Sequence, residues 1–212
     1  MASDIPSDSE LTTDGLEASG GGRVLVLGCG ALAREILAVI KANNLDHVDL
    51  QCLPAIYHNH PEKIVPAVEE SVAKLKNQYA EIFLAYADCG TGGQLQATAE
   101  RLGLKMLEGA HCYAFFEGVD AFAAHEDEIT AFYLTDFLAR QFDTFIWKPL
   151  GLDRHPELRD MYFGHYEKLV YQVQAHDPAL EAKARNAAER LGLEFELRHT
   201  GYGDLERDIS KL

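Results

Sequence analysis

The chain has 212 residues, 47% of them hydrophobic and 25% charged, which suits a globular protein able to close a core without disulfide or metal staples. Its formal net charge of −15, with no cluster of Lys and Arg, excludes a nucleic-acid groove and disfavours an anionic membrane surface. No apolar run reaches the roughly 18 residues of a membrane span, and the first residues lack a signal peptide's basic and apolar segments, so a cytoplasmic setting is expected, where the 4 cysteines are free, catalytic or metal-bound rather than paired.

Residues 1–22 are rich in Ser, Gly, Asp and Thr and end in Gly20-Gly21-Gly22. They carry too little apolar surface to offset the entropy of ordering and read as a disordered acidic tail. From Arg23 short apolar strands alternate with amphipathic helices. Val24 to Leu27 reads as a buried strand, and Ala31 to Ala42 repeats Leu32, Ile36, Val39 and Ile40 at helical spacing. Asn43-Asn44 stops that helix, and Val48 to Leu53 is a second strand closed by Pro54. Residues 56–63 form a polar loop that feeds a helix marked by Ile64, Val68, Val72 and Leu75.

Glu81 to Ala87 is a third strand, Thr91 to Leu102 a helix, and Leu104 to Leu107 a fourth strand. An aromatic helix is expected from Tyr113 to about Phe122, a short strand at Ala131 to Thr135, and helices at Asp136 to Trp147 and Arg154 to His165. Strand, helix and strand then follow at Lys168 to Gln174, Pro178 to Leu191 and Leu193 to Arg198. Glu-Arg-Leu-Gly-Leu occurs at both 100–104 and 189–193, which reads as one helix-to-strand solution used twice, with Gly ending each helix.

The alternation predicts an α/β fold: a parallel, doubly wound, Rossmann-like sheet flanked by helices in three αβα layers, over residues 23–208. These residues make either one large domain or two lobes, 23–125 and 126–208. Right-handed crossovers put every strand-to-helix loop at the carboxyl edge, where such folds bind ligands.

Three cysteines stand at those corners. Cys29 follows the first strand, Cys89 the third and Cys112 the fourth, whereas Cys52 lies inside the second strand and reads as a small buried hydrophobe. Three thiolates at one edge suit an iron–sulfur cluster with one open iron, or zinc with an open fourth position. His58, His111 and His199 are candidates for proton transfer or further ligation. Asp88 is placed either to orient a ligand or to accept hydrogen bonds from the glycine turn that follows it.

The glycines also permit a nucleotide-dependent reading. Gly28 and Gly30 open a G-x-G-x-x-A run, and Gly90 and Gly92 begin a helix that could cradle an anion on its amides. No Lys-Ser/Thr pair follows Gly93, so a P-loop is excluded.

Leu-Gly-Cys-Gly-Ala-Leu (27–32), His-Asn-His-Pro-Glu-Lys-Ile (58–64), Tyr-Ala-Asp-Cys-Gly-Thr-Gly-Gly (86–93), Gly-Ala-His-Cys-Tyr (109–113) and Phe-Tyr-Leu-Thr-Asp (132–136) together resemble the uncharacterised domain family DUF1638. The likeness runs from about residue 23 to 208. Members of that family have cysteines matching Cys29, Cys89 and Cys112 and often occur beside corrinoid-dependent methyltransferase systems. The resemblance therefore implies a role in corrinoid-linked methyl transfer or in servicing its metal centre, with a corrinoid protein or methyltransferase component as partner. The alternative is a non-catalytic binding or chaperone role toward a corrinoid methyltransferase component. The three strand-end cysteines are similar in arrangement to those of quinolinate synthase, an analogy of architecture alone.

Overall fold

The computed structural model describes residues 6–125 and 128–212; residues 1–5 of the expected tail lie outside it. The chain divides into two compact units, one of residues 1–115 and 202–212 and the other of residues 116–201.

In the first unit the strands are β1 (Val24–Cys29), β2 (Val48–Leu53), β3 (Glu81–Ala85) and β4 (Lys105–Met106), hydrogen-bonded in the order β2-β1-β3-β4. The β1–β2, β1–β3 and β3–β4 pairs are all parallel. The helices are α1 (Asp8–Thr13), α2 (Ala33–Ala42), α3 (Ile64–Leu75), α4 (Gln94–Leu102), α5 (Cys112–Glu117) and α10 (Gly203–Ile209), the last packing on α2. Leu25, Leu27, Ile64, Val68, Leu84 and Leu95 meet in a core between strands and helices. β1 is buried along nearly its whole length, as a strand covered on both faces must be.

The second unit has β5 (Ala131–Leu134), β6 (Lys168–Val173) and β7 (Glu194–His199) in a parallel sheet of that order. Its helices are α6 (Val119–Ala123), α7 (Asp136–Arg140), α8 (Arg159–Phe163) and α9 (Pro178–Leu191). Arg198 lies between the carboxylates of Glu117, Glu128 and Glu196, and Lys168 bonds Glu128 (2.8 Å) and Glu196 (2.7 Å). Each carboxylate of the network meets at least one cation, and the network reads as structural.

The parallel α/β architecture is as expected, but the strands form two sheets rather than one. Several elements are also shorter than their apolar patterns. The expected aromatic helix breaks at Gly118, where φ is 95°. The 136–147 helix divides into α7 and a π-helical turn at Asp143–Trp147. The glycines of the repeated pentapeptide do what the pattern implies: Gly103 (φ 70°) and Gly192 (φ 72°) end α4 and α9 in the left-handed conformation, and each donates back into its last turn.

The larger correction concerns the N-terminal segment, which is ordered from residue 6. Ser7 and Glu10 form a capping box at the start of α1. Leu11 is fully buried, and Leu16 pairs with the outer strand β2 through both backbone bonds to Cys52, at 2.9 and 2.7 Å. The buried Asp49 carboxylate then accepts hydrogen bonds from Ser19 (3.2 Å), Gly22 (3.0 Å) and Tyr79 (2.8 Å). One apolar residue every few positions and a buried acceptor suffice, because the segment adds to an existing core instead of building its own. Among the described residues no helix is long and apolar enough to cross a membrane.

Candidate functional site

The order β2-β1-β3-β4 reverses direction at β1, since the chain runs from β1 outward to β2 and returns to the other side of β1 for β3. The crevice between the carboxyl ends of β1 and β3 is therefore the topological switch point, where open α/β sheets bind ligands. Gly28 pairs with Ala85 at the end of that register. The next residues on the two strands are Cys29 and Tyr86.

Cys112 is brought in by backbone bonds that continue the β3–β4 pairing past β4. Leu107 N–H donates to Leu84 O (3.2 Å), Asp88 N–H to Gly109 O (3.1 Å) and Cys89 N–H to Ala110 O (3.1 Å). The 107–111 loop thus runs beside residues 84–89 and delivers Cys112, at the start of α5, to the Cys89 corner. Cys89 has φ 50°, in the left-handed region that a side chain rarely adopts. Such a backbone costs on the order of 1–3 kcal/mol and persists only where its surroundings impose it.

Cys29, Cys89 and Cys112 are free and of intermediate exposure as residues. The protein around them nevertheless desolvates the thiols. Burial, with the nearby Cys112 and Cys29, pushes Cys89 well up; burial and Cys29 push Cys112 up to about 12. Burial also raises Cys29, against a backbone hydrogen bond from Ala31 that favours its thiolate. The Glu35 carboxylate adds to the upward push on Cys29 and Cys112. Cys52 stays buried in β2, as expected.

Tyr86, 1% exposed, lies within electrostatic reach of Cys29, Cys89 and Cys52. Its Oη has no hydrogen-bond partner. Oη and the Cys29 thiol are near enough to shift each other's proton affinity without meeting the geometry of a hydrogen bond. Sequence reasoning passed over this residue, because an aromatic side chain at the end of a buried strand looks like core. The signal lay in the register, one position beyond Ala85 and opposite Cys29.

His58, on the turn after β2, and His111, before α5, approach one another. Both are exposed, but enough chain surrounds each for burial to lower its pKa; repulsion by His111 lowers His58 further, while Asp88 acts on His111 in the opposite sense. The His111 ring stacks on Tyr113 with centroids 4.8 Å apart. His199, expected at the same edge as the cysteines, ends β7 in the second sheet, so the single shared edge assumed for it does not exist.

The candidate cofactor-binding glycines all have intramolecular roles. The Asp88 carboxylate accepts hydrogen bonds from the Gly93 amide (2.7 Å), the Gly92 amide (3.1 Å) and the Thr91 hydroxyl (2.7 Å). It sits where an external anion would bind the turn carrying Gly90 and Gly92, and Thr91 in turn accepts from Leu95 N–H (3.3 Å) inside α4. Gly28 admits Ile36 of α2 against β1, and Gly30 admits the Leu11 carbonyl.

The donors near this corner are three cysteine thiols and one buried phenol. A single tetrahedral ion would need its sulfurs about 3.8 Å apart, from metal–sulfur bonds near 2.3 Å. Among the described residues no three donors are grouped to hold one ion. A surface cleft of about 640 Å³ lies at the other end of β3 and β4. There Arg101 and Lys105 are already paired with Glu69 and Glu81.

Fold and corner together define a parallel α/β protein in two units with a thiol-bearing switch point. The chain belongs to the family described as "Protein of unknown function (DUF1638)", whose profile matches residues 52–209. No curated protein and no solved structure matches it.

Proposed function

We propose that this chain is a cytoplasmic metalloprotein in which Cys29, Cys89 and Cys112 hold an iron–sulfur cluster, or less readily a zinc ion, in the service of corrinoid-linked methyl transfer. The observation that supports the reading is that Cys29, Cys89 and Cys112 follow β1, β3 and β4 near the β1/β3 switch point, where this kind of sheet binds ligands, and lie within electrostatic reach of one another. Each thiol is costly to ionise where it stands, and a bound metal offsets that cost by supplying positive charge. When bound, such a group supplies electron transfer or one open Lewis-acid position.

His58 and His111, which burial favours as neutral imidazoles, are the groups available at this corner to accept a proton from an entering ligand. The corrinoid setting and its protein partner rest on the family resemblance. The test is anaerobic purification followed by analysis for iron, acid-labile sulfide, zinc and nickel. The wild-type protein is expected to carry metal, and the triple Cys→Ser variant to lose it while keeping its circular dichroism spectrum. A folded wild-type protein that neither carries metal nor takes it up on reconstitution would overturn the proposal.

A further inference from the structure

We infer that residues 6–16 form an arm that lifts off the carboxyl edge of the first sheet as a unit, while residues 18–22 stay bound at its base. The lifting stands on the packing of the first unit alone; its consequence, control of access to Cys29, rests on the thiol site proposed above. The base is held from inside. Ala18 packs against the hydrophobic core, and Ser19 and Gly22 donate to the buried Asp49 carboxylate, which Tyr79 also binds. The arm reaches the body mainly through the Leu11 side chain, the two backbone bonds between Leu16 and Cys52, and a partly exposed ion pair between Asp8 and Arg34 (3.0 Å). Contacts this few barely offset the entropy of fixing the segment, so it opens before the core does. Asp8, Glu10 and Asp14 add repulsion from a chain whose net charge is −15.

Where the arm closes decides what it controls. α1 packs on the turns Gly30–Leu32 and Ala55–Asn59, which follow β1 and β2 at the carboxyl edge. A β-carbon on Gly30 would stand 2.3 Å from the Leu11 carbonyl oxygen, so α1 lies directly on the residue after Cys29, and His58 belongs to the second turn. A ligand or partner reaching Cys29 from the β2 side must displace the arm first. One backbone amide reports the state of the arm. Cys52 lies in β2, but its N–H donates to Leu16 O (2.7 Å), so lifting the arm frees it to exchange while the pairing of β1 with β2 holds.

The experiment is native-state hydrogen exchange in increasing urea on the metal-free, full-length protein, paired with N-ethylmaleimide labelling located by mass spectrometry. In the wild type the Leu16 and Cys52 amides should exchange together, faster than the amides of β1 and with a much shallower dependence on urea, because lifting the arm exposes little surface. Gly15, at φ 81°, lets the arm pass the Cys52 carbonyl oxygen, which a β-carbon there would meet at 2.1 Å. Gly15→Ala should therefore speed both amides about tenfold or more. Cys29 labelling should rise by the same factor with the same shallow urea dependence, whereas the Cys52 thiol, inside β2, should label only through the steep, global route. Asp8→Asn, which breaks the pair with Arg34, should act in the same direction by a smaller factor, and it serves if the alanine variant does not fold. Wild-type Leu16 and Cys52 amides that exchange with the rates and urea dependence of β1 would overturn the arm itself. Cys29 labelling that is the same in wild type and variants would overturn the gate and leave the arm standing. Neither readout involves metal, so both results are independent of whether the three thiols hold one.

Discussion

The carbonyl oxygen of Leu11 occupies the space in which a β-carbon on Gly30 would stand. The second glycine of the G-x-G run thus lets the chain's own first helix close over the end of β1. Gly30→Ala should push α1 off that edge and expose residues 6–22. Limited proteolysis should then cleave the variant in this segment much faster than wild type, and equal rates would show that the contact is dispensable. Leu11→Ala removes the buried side chain from the other partner and should cost about 2–5 kcal/mol in urea unfolding.

Asp88 should make stability depend on acid. Burial would raise its carboxyl, but hydrogen bonds from Thr91 and from the Gly93, Gly92 and Gly90 amides outweigh that and hold it below the ordinary range. A carboxylate depressed in the folded state contributes stability that is fully present above its unfolded value of about 3.9 and is lost as pH falls through the folded one. Asp88→Asn should lower stability at pH 7 by about 1 kcal/mol and flatten the acid limb of the stability curve. Equilibrium unfolding from pH 7 to 2 measures both.

The histidine pair gives the same sign at higher pH. His58 and His111 both titrate below the ordinary 6.5, chiefly because burial disfavours the imidazolium, with repulsion by His111 adding to the shift at His58. Their contribution is complete above pH 6.5 and declines as pH falls through the folded values. In NMR titration both rings should titrate below 6.5, and His111→Ala should move His58 only part of the way back, since its burial persists. A full return would mean that repulsion outweighs burial.

The two left-handed glycines separate strain from crowding. A β-carbon on Gly103 would meet nothing within 4 Å, so Gly103→Ala should cost only the backbone strain, about 1 kcal/mol. A β-carbon on Gly192 would also stand 2.9 Å from Arg159 Nη1, so Gly192→Ala should cost more, by whatever displacing that flexible end requires. Chemical denaturation of the two variants gives the comparison.

Periodicity and composition by themselves determined the parallel α/β class, the buried character of β1 and β2, and the glycine stops after α4 and α9. These features repeat every two or 3.6 residues or sit at fixed places in a turn, so neighbours in sequence suffice to show them. Tertiary structure alone decided that the strands form two sheets, that His199 ends the second, that residues 6–22 pack on the first, and that Asp88 fills its own glycine turn. It also decided that Tyr86 faces Cys29. Each of these depends on which backbone groups meet across tens of residues, and hydrogen bonds between distant segments leave no period in the chain that makes them.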